Sequence, residues 1–158
     1  MCKGIIMQTF LPYDDYTCSA RCLDNKRLGK QRVEAFQILT ILQHPERQYR
    51  WRHHPAVLMW EGHEDALSMY LRACIIEWEM RGFKNTIVIP EFIWHMPPPW
   101  AFDLNFHLSH RSNLVRKFPE HYKNYFPYID DCIPYIWPKR WCKKCQTSVS
   151  SCSHTNVV

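Results

Sequence analysis

The main helix of the fold is predicted from the stretch CLDNKRLGKQRVEAFQILTIL, which runs from Cys22 to Leu42. At 3.6 residues per turn, one side of this stretch is apolar, and a charged side lies about a third of the way round. The apolar side carries Leu28, Ala35, Leu39 and Leu42, and the charged side carries Arg27, Lys30, Gln31 and Glu34. The stretch therefore predicts one long helix that has both a core face and a charged face.

Glu34 is the one carboxylate that follows Asp24 in this stretch, and the cations around it are Lys26, Arg27, Lys30 and Arg32. Because Lys30 precedes Glu34 by four residues, an ordinary ion pair on the helix surface is the simpler interpretation. The other interpretation is an acid held beside an anionic substrate that the cations attract. The spacing leaves both interpretations open.

Composition predicts a folded, soluble, intracellular protein of one main domain. The chain has 158 residues, of which 46% are hydrophobic and 15% aromatic, so it can bury a core. No apolar run is long enough to span a bilayer, which predicts no membrane partner, and the opening MCKGIIMQTF lacks the features of a signal peptide. The eight cysteines are therefore expected to be reduced thiols or metal ligands rather than disulfides.

Charge is distributed unevenly along the chain. The net charge is +5 overall, with +5 in residues 21–54, −4 in residues 55–106 and +5 in residues 107–145. If the fold brings the two basic blocks together, they form a positive surface suited to DNA or RNA. A scattered, solvated distribution of the same charges is the alternative.

Turn and capping signals divide the chain into helices. We expect a short helical turn capped by Asp14 or Asp15, then a long helix from Asp24 to about Gln43. Helical spacing continues over residues 55–81, 103–117 and 119–126, and residues 4–12 read as an extended arm. The prediction is an all-α, compact, single-domain helical fold with long aromatic and proline-rich loops. It covers residues 1–138, and residues 139–158 form a Cys-rich tail.

The helix at 103–117 is expected to present a basic face. Its spacing predicts Leu104, Leu108 and Val115 inward, and His110, Asn113 and Lys117 on an exposed polar stripe. Cations on that stripe, with Arg111 beside them, would meet phosphates without reading sequence. A solvated helix face is the alternative.

The loop QYRWRHHP, residues 48–55, mixes Arg52 and His54 with aromatic rings. Arginine bridges phosphates, and an aromatic ring such as Trp51 stacks on an exposed base for about 1 to 3 kcal/mol. This composition is typical of a nucleic-acid-binding loop. Packing of Trp51 into the core, with the histidines as caps, explains it equally well.

The tail WCKKCQTSVSSCSH spaces three cysteines and one histidine as C-x2-C-x6-C-x-H. Thiolates and imidazole in this number can complete a tetrahedral zinc site. The candidate ligands are Cys142, Cys145, Cys152 and His154. The alternative is a tail with free thiols.

Six motifs between about Met7 and Pro138 resemble the pyrimidine-dimer DNA glycosylase family, whose founding phage enzyme is endonuclease V, and specifically its longer branch. The motifs are MQTFLPY, LDNKRLGKQRVEAFQIL, WRHHPAVLMW, RGF, SHRSNLVRKFPEHY and PYIWP. The resemblance implies a compact all-α fold and cleavage of the glycosidic bond at a pyrimidine dimer. It also implies strand breakage at the abasic site by β-elimination.

The resemblance also implies roles for particular residues. The family uses an α-amine as nucleophile and a glutamate that moves protons, and the glutamate falls on Glu34 by motif position. Removal of Met1 would expose the amine of Cys2, six residues precede the matching segment at Met7, and Lys26 or Lys30 are substitutes. Residues implied in the DNA groove are Arg27, Lys30, Arg32, Arg52, His54 and Arg111.

The implied partner is damaged double-stranded DNA, bound by a monomer, and no cofactor is required for catalysis. A nucleic-acid-binding or packaging protein without chemistry on the same fold is an alternative function. A metal-dependent nuclease built on His53, His54, His107 and His110 is another, although these histidines lack an evident carboxylate partner.

Overall fold

The computed structural model describes residues 7–138, together with the backbone of residues 141–142 and 147–148. The elements in chain order are α1 (Tyr16–Cys22), α2 (Asn25–Gln43), α3 (Pro55–Leu58), α4 (Glu64–Met80), a 3-10 turn (Pro99–Phe102), α5 (Leu104–Lys117) and α6 (Pro119–Tyr122). The all-α prediction is therefore confirmed for residues 7–138. In that part of the chain, no helix combines the length and apolarity needed to cross a membrane.

A two-residue antiparallel ladder lies beyond the helical body. Strands β1 (Trp141–Cys142) and β2 (Thr147–Ser148) pair Trp141 with Ser148 and Cys142 with Thr147. The proposed boundary between residues 138 and 139 stays a prediction.

Helix α2 begins and ends where the sequence predicts. Asp24 is its N-cap, and the carboxylate accepts a hydrogen bond from the backbone N–H of Arg27 at 3.3 Å. Leu28 and Ala35 are buried, and this face packs along α4, which also contacts α1. The charged face of α2 therefore faces solvent and residues 7–11, which we call the N-terminal segment.

The prediction of one continuous helix over residues 55–81 is wrong. The structure ends α3 at Leu58 and begins α4 at Glu64. Gly62 between them has φ 84°, a left-handed conformation that stops a helix and favours glycine, and its N–H donates to Glu64 Oε1 at 2.9 Å. The predicted end is confirmed, because Gly82 follows α4 with the same φ.

Helix α5 has its predicted N-cap, Asp103, but its faces differ from the prediction. Leu104 is 62% exposed, whereas His110 and Asn113 are buried. The polar side chains turn inward because neighbouring backbone needs them: Leu11 N–H donates to His110 Nδ1 at 3.0 Å. Two of the three predicted polar residues thus serve the core, whereas Lys117 is exposed and Val115 is buried, as predicted.

Residues 7–11 form a buried extended segment, as the arm prediction requires. The segment has no partner strand among the described residues, so side chains satisfy its backbone. Phe10 N–H donates to Gln31 Oε1 at 2.9 Å, and the Tyr70 hydroxyl lies 2.9 Å from the Phe10 carbonyl oxygen. The segment is therefore fixed against α2, α4 and α5.

The close contact of α2 with Trp78 predicts an unfavourable Gly29→Ala substitution. A Cβ at position 29 would lie 2.9 Å from the Trp78 ring. Alanine ordinarily favours a helix by about 1 kcal/mol over glycine, but we expect overpacking to dominate and to lower the free energy of unfolding by about 1 to 2 kcal/mol. Urea denaturation measures this, with the exposed Lys26→Ala as the control variant. A stabilised Gly29→Ala protein would contradict the packing described.

Candidate active site

Glu34 lies on α2 with only 3% of its surface exposed, and it faces the N-terminal segment. Lys30 Nζ is 3.5 Å from Oε1, so the ion pair suggested by the spacing is present. At that separation the contact is an ion pair rather than a well-formed hydrogen bond, and Oε1 accepts no hydrogen bond from the described residues. The carboxylate is nevertheless buried, which an ordinary surface ion pair is not.

The Gln31 amide fixes the orientation of Glu34. Its Nε2 donates to Glu34 Oε2 at 3.0 Å and to the Gln8 carbonyl oxygen at 3.0 Å. Its Oε1 accepts from Phe10 N–H and lies 2.7 Å from the Tyr70 hydroxyl. Because all the polar atoms of this amide are engaged, Glu34 is held by a network anchored on three parts of the chain.

The pKa of Glu34 is raised from 4.5 to about 7. Burial is the largest cause, since it disfavours the charged form. Lys30, the backbone N–H of Gln8 and the Gln31 amide stabilise the carboxylate and offset part of this effect. Both protonation states are therefore populated near neutral pH, as general acid–base catalysis requires.

Lys30, which pairs with Glu34, belongs to a group of neighbouring cations from α2 and α5 that we call the cationic rim, defined as Arg27, Lys30, Arg116 and Lys117. Arg27 Nη2 donates to the Lys117 carbonyl oxygen at 3.3 Å, which joins the start of α2 to the end of α5. Partial burial lowers the pKa of Lys117, and Arg27, Lys30 and Arg116 lower it further. The two basic blocks of the sequence therefore do share a surface.

Two arginines from the sequence-based list lie elsewhere. Arg32 Nη1 donates to Asn85 at 2.7 Å, and its guanidinium lies 5.2 Å from the Trp78 ring centre. Arg52 pairs with Glu61 at 3.3 Å. Both side chains are half-buried, and neither is among the charges that shift the pKa of Glu34, Lys117 or Tyr135, so the structure does not bring them to Glu34.

Arg111 and His110 have structural contacts. Arg111 Nε donates to the Pro12 carbonyl oxygen at 2.7 Å, and its guanidinium lies 5.0 Å from the Tyr13 ring centre. His110 has no exposed surface, and burial together with His107 lowers its pKa to about 3. A ring that is neutral at neutral pH and whose Nδ1 accepts from Leu11 N–H does not supply a cation, so the expected role of His110 in phosphate binding does not fit this structure.

The loop at residues 48–55 combines capping and partial exposure. His54 is the N-cap of α3, where Nδ1 accepts from Ala56 N–H at 3.1 Å, and burial lowers its pKa. Trp51 is half-buried, and the Arg50 guanidinium lies 5.4 Å from its ring centre. The loop borders an open cavity of about 430 Å³ that also reaches Met7. Capping and an accessible aromatic surface thus occur together.

Sequence reasoning gave no role to three residues that act on Glu34 or its surroundings, namely Gln8, Gln31 and Tyr135. Gln31 was on the predicted charged stripe with Glu34. Gln8 and Tyr135 are within the motifs MQTFLPY and PYIWP, but their roles could not be predicted, since only tertiary packing brings residues from the two ends of the described chain to α2.

Several expected residues fall outside the described part of the chain. These are Cys2, Cys145, Cys152 and His154, and of Cys142 only the backbone is described. Within the described residues, Asp130, Asp131 and Cys132 come within 4.8 Å of one another, but they are exposed, and exposed acidic groups of this kind are common without an ion. His107 and His110 bond to backbone groups of the N-terminal segment, so the described histidines form no cluster for a metal-dependent nuclease.

Comparison with protein-family models identifies the class of protein to which the chain belongs. The model of the family described as pyrimidine dimer DNA glycosylase matches residues 7–89, just over half of the chain. The chain belongs to this family. Comparison with curated proteins and with solved structures yields no match.

The family match supports a DNA glycosylase function and a DNA substrate. The matched residues include Gln8, Gln31 and Glu34, together with the loop that contains Trp51. Helices α5 and α6 and the chain that follows them lie beyond the match, although Arg116 and Lys117 contribute to the cationic rim. The family match therefore covers the part of the site that lies on residues 7–11 and α2, but not the cations that α5 contributes.

The raised pKa of Glu34 predicts a pH-dependent effect of Glu34→Gln on stability. Because the folded-state pKa lies above the unfolded value of 4.5, wild-type protein loses stability as the pH rises from about 4.5 to about 7. Glutamine does not titrate, so Glu34→Gln should gain about 1 to 3 kcal/mol in free energy of unfolding relative to wild type by pH 8.

Denaturation curves of both proteins at pH 4.5 and pH 8 measure the difference. The exposed Glu79→Gln on α4 is the control variant, and its difference from wild type should stay small at both values. If Glu34→Gln instead lost stability relative to wild type with rising pH, the burial argument would be contradicted.

Proposed function

We propose that the protein is a DNA repair glycosylase with abasic-site lyase activity, in which an amine is the nucleophile and Glu34 moves protons. The observation that carries this proposal is a buried carboxylate with a pKa of about 7 next to a cationic rim. A group with this pKa accepts and returns protons at neutral pH. The family match supports the glycosylase part, and the lyase part is the proposal.

The amine would arrive through the N-terminal segment. The backbone N–H of Gln8 interacts with the Glu34 carboxylate, and Cys2 precedes Gln8 by six residues in the sequence. A free α-amine has an unperturbed pKa near 8 and is substantially neutral at working pH. The α-amine of Cys2 stays the predicted nucleophile, with Lys30 Nζ, 3.5 Å from Glu34, as the substitute.

The proposed reaction has two bond-breaking stages. The neutral amine attacks C1′ of the damaged nucleotide, and the glycosidic bond breaks as the pyrimidine leaves with the bonding electrons. The C1′–O4′ bond then opens, O4′ takes a proton, and the nitrogen forms a protonated C=N bond to C1′, which is the Schiff base. Removal of a C2′ proton then expels the 3′ phosphate by β-elimination, and water hydrolyses the Schiff base to release the enzyme. Glu34 in its carboxylate form takes the proton that the attacking amine loses, and in its protonated form it donates that proton to O4′.

The cationic rim and the aromatic loop supply the DNA contacts in this proposal. Arg27, Lys30 and Lys117 would bind phosphates around the damaged nucleotide and fix its position. The half-buried Trp51 beside its cavity of about 430 Å³ would stack on a base displaced from the duplex. The proposed substrate is accordingly double-stranded DNA with a damaged pyrimidine.

Borohydride trapping tests the proposal. Borohydride reduces a Schiff base to a stable bond, so wild-type protein mixed with abasic-site DNA should gain one covalent adduct in its intact mass. Peptide mapping then places the adduct on one amine. We expect Glu34→Gln to slow strand cleavage by about 100-fold or more through loss of proton transfer, while duplex binding is retained.

Glu79→Gln, which changes an exposed carboxylate on α4, is the matched control and should cleave at the wild-type rate. Absence of an adduct from correctly processed wild-type protein would overturn the lyase proposal. Salt-dependent binding that is indifferent to lesions and unaffected by Glu34→Gln would instead indicate a nucleic-acid-binding protein without chemistry.

A further inference from the structure

A segment beyond the family match, residues 133–137, lies beside Arg116 of the cationic rim. Helix α5 holds it at two points. The Ile133 carbonyl oxygen accepts from Arg116 Nη2 at 2.8 Å, and Ile136 N–H donates to Ser109 Oγ at 3.1 Å. Tyr135 lies between these two attachments, so its backbone position is fixed.

Aromatic contacts also fix the ring of Tyr135. It lies edge-to-face against His110, with ring centres 5.5 Å apart, and it stacks on Trp137 at 5.6 Å. Trp137 in turn contacts the His54 ring edge-to-face at 6.0 Å. The hydroxyl therefore points in one direction, set by neighbours from α5 and from the loop at residues 48–55.

The Tyr135 hydroxyl is buried and has no hydrogen-bond partner among the described residues. Leaving a hydroxyl in this state costs about 1 to 3 kcal/mol, and native proteins do so rarely. Glu34 Oε1, the side-chain oxygen of Gln8 and Nε2 of His110, whose ring contacts Tyr135, are also buried without a hydrogen bond among the described residues. Several residues of the site and its surroundings thus carry a buried polar atom without a partner.

Electrostatics place this hydroxyl in the surroundings of Glu34. Burial raises the pKa of Tyr135, Arg116 and Arg27 lower it, and the charge of Glu34 raises it. The net pKa lies well above the usual value near 10, so the hydroxyl keeps its proton throughout the working pH range. It can donate a hydrogen bond but cannot act as a base.

We infer that Tyr135 is a catalytic residue whose hydroxyl donates a hydrogen bond to a sugar–phosphate oxygen of the nucleotide under attack. This inference rests on the proposed function. When the sugar ring opens and the 3′ phosphate leaves, negative charge grows on oxygen atoms. A fixed, desolvated donor stabilises that charge more than it stabilises the ground state. The unpartnered hydroxyl acquires its partner when DNA binds.

The variant Tyr135→Phe removes the hydroxyl and keeps the ring. Single-turnover cleavage of duplex DNA carrying one preformed abasic site should slow by about 10- to 100-fold. The melting temperature should equal or exceed that of wild type, because no protein hydrogen bond is lost. Tyr128→Phe is the matched control, since Tyr128 is 98% exposed, and both its cleavage rate and its melting temperature should be unchanged.

Two results would overturn the inference. One is a cleavage rate of Tyr135→Phe equal to that of wild type. The other is a slower rate accompanied by a lower melting temperature, which would show that the hydroxyl has a structural partner.

Inactivity of wild-type protein would count against the proposed function, and the inference is then judged by binding alone. Wild-type protein should prefer a duplex with a tetrahydrofuran abasic analogue over undamaged duplex, and Tyr135→Phe should lose that preference about tenfold. An equal preference in both proteins would overturn the assignment of Tyr135.

Discussion

Residues 7–11 run through the core as an extended chain, and side-chain hydrogen bonds replace the sheet that such a chain normally joins. Each buried N–H or carbonyl group that lacked a partner would cost more than a typical hydrogen bond contributes. Gln31 from α2, Tyr70 from α4 and His110 from α5 supply those partners. The packing of three helices around this segment, and the position of the site, depend on these bonds.

Glu34 is buried because of the same arrangement. The Gln31 amide that holds Phe10 also donates to Glu34, so one side chain both fixes the segment and orients the carboxylate. Burial disfavours the charged form, and the ion pair with Lys30 offsets this only in part. A carboxylate that was exposed on a helix surface would keep a pKa near 4.5 and would be a poor proton donor at neutral pH.

The sequence predicted much of the fold because its signals are local. Asp24 as N-cap, the stripe through Leu28 and Ala35, and Gly82 after α4 are each readable within a few residues. The break at Gly62 was missed, because an isolated glycine within a helical pattern is often tolerated. The inward turn of His110 was missed for another reason, since its partner, Leu11, is 99 residues away.

The site was predicted less completely, because its residues are joined by tertiary contacts. The cation and carboxylate stripe on α2 correctly indicated Lys30 and Glu34 as neighbours, and Arg27 and Lys117 do share a surface. The family resemblance grouped Arg32 and Arg111 with them, but a motif does not show that each is engaged by a ring and a backbone or side-chain acceptor. The motif PYIWP contains Tyr135 but gave it no role, since burial without a partner appears only in the fold.

The proposed mechanism requires that the Glu34 carboxylate populates both protonation states near neutral pH. Titration of the Glu34 side-chain carboxyl carbon by ¹³C NMR measures this directly, with Glu34→Gln used to assign the signal. We predict a midpoint near pH 7 in the folded protein. A midpoint at or below 4.5 would contradict the account, because it would place Glu34 in an ordinary solvated ion pair with Lys30.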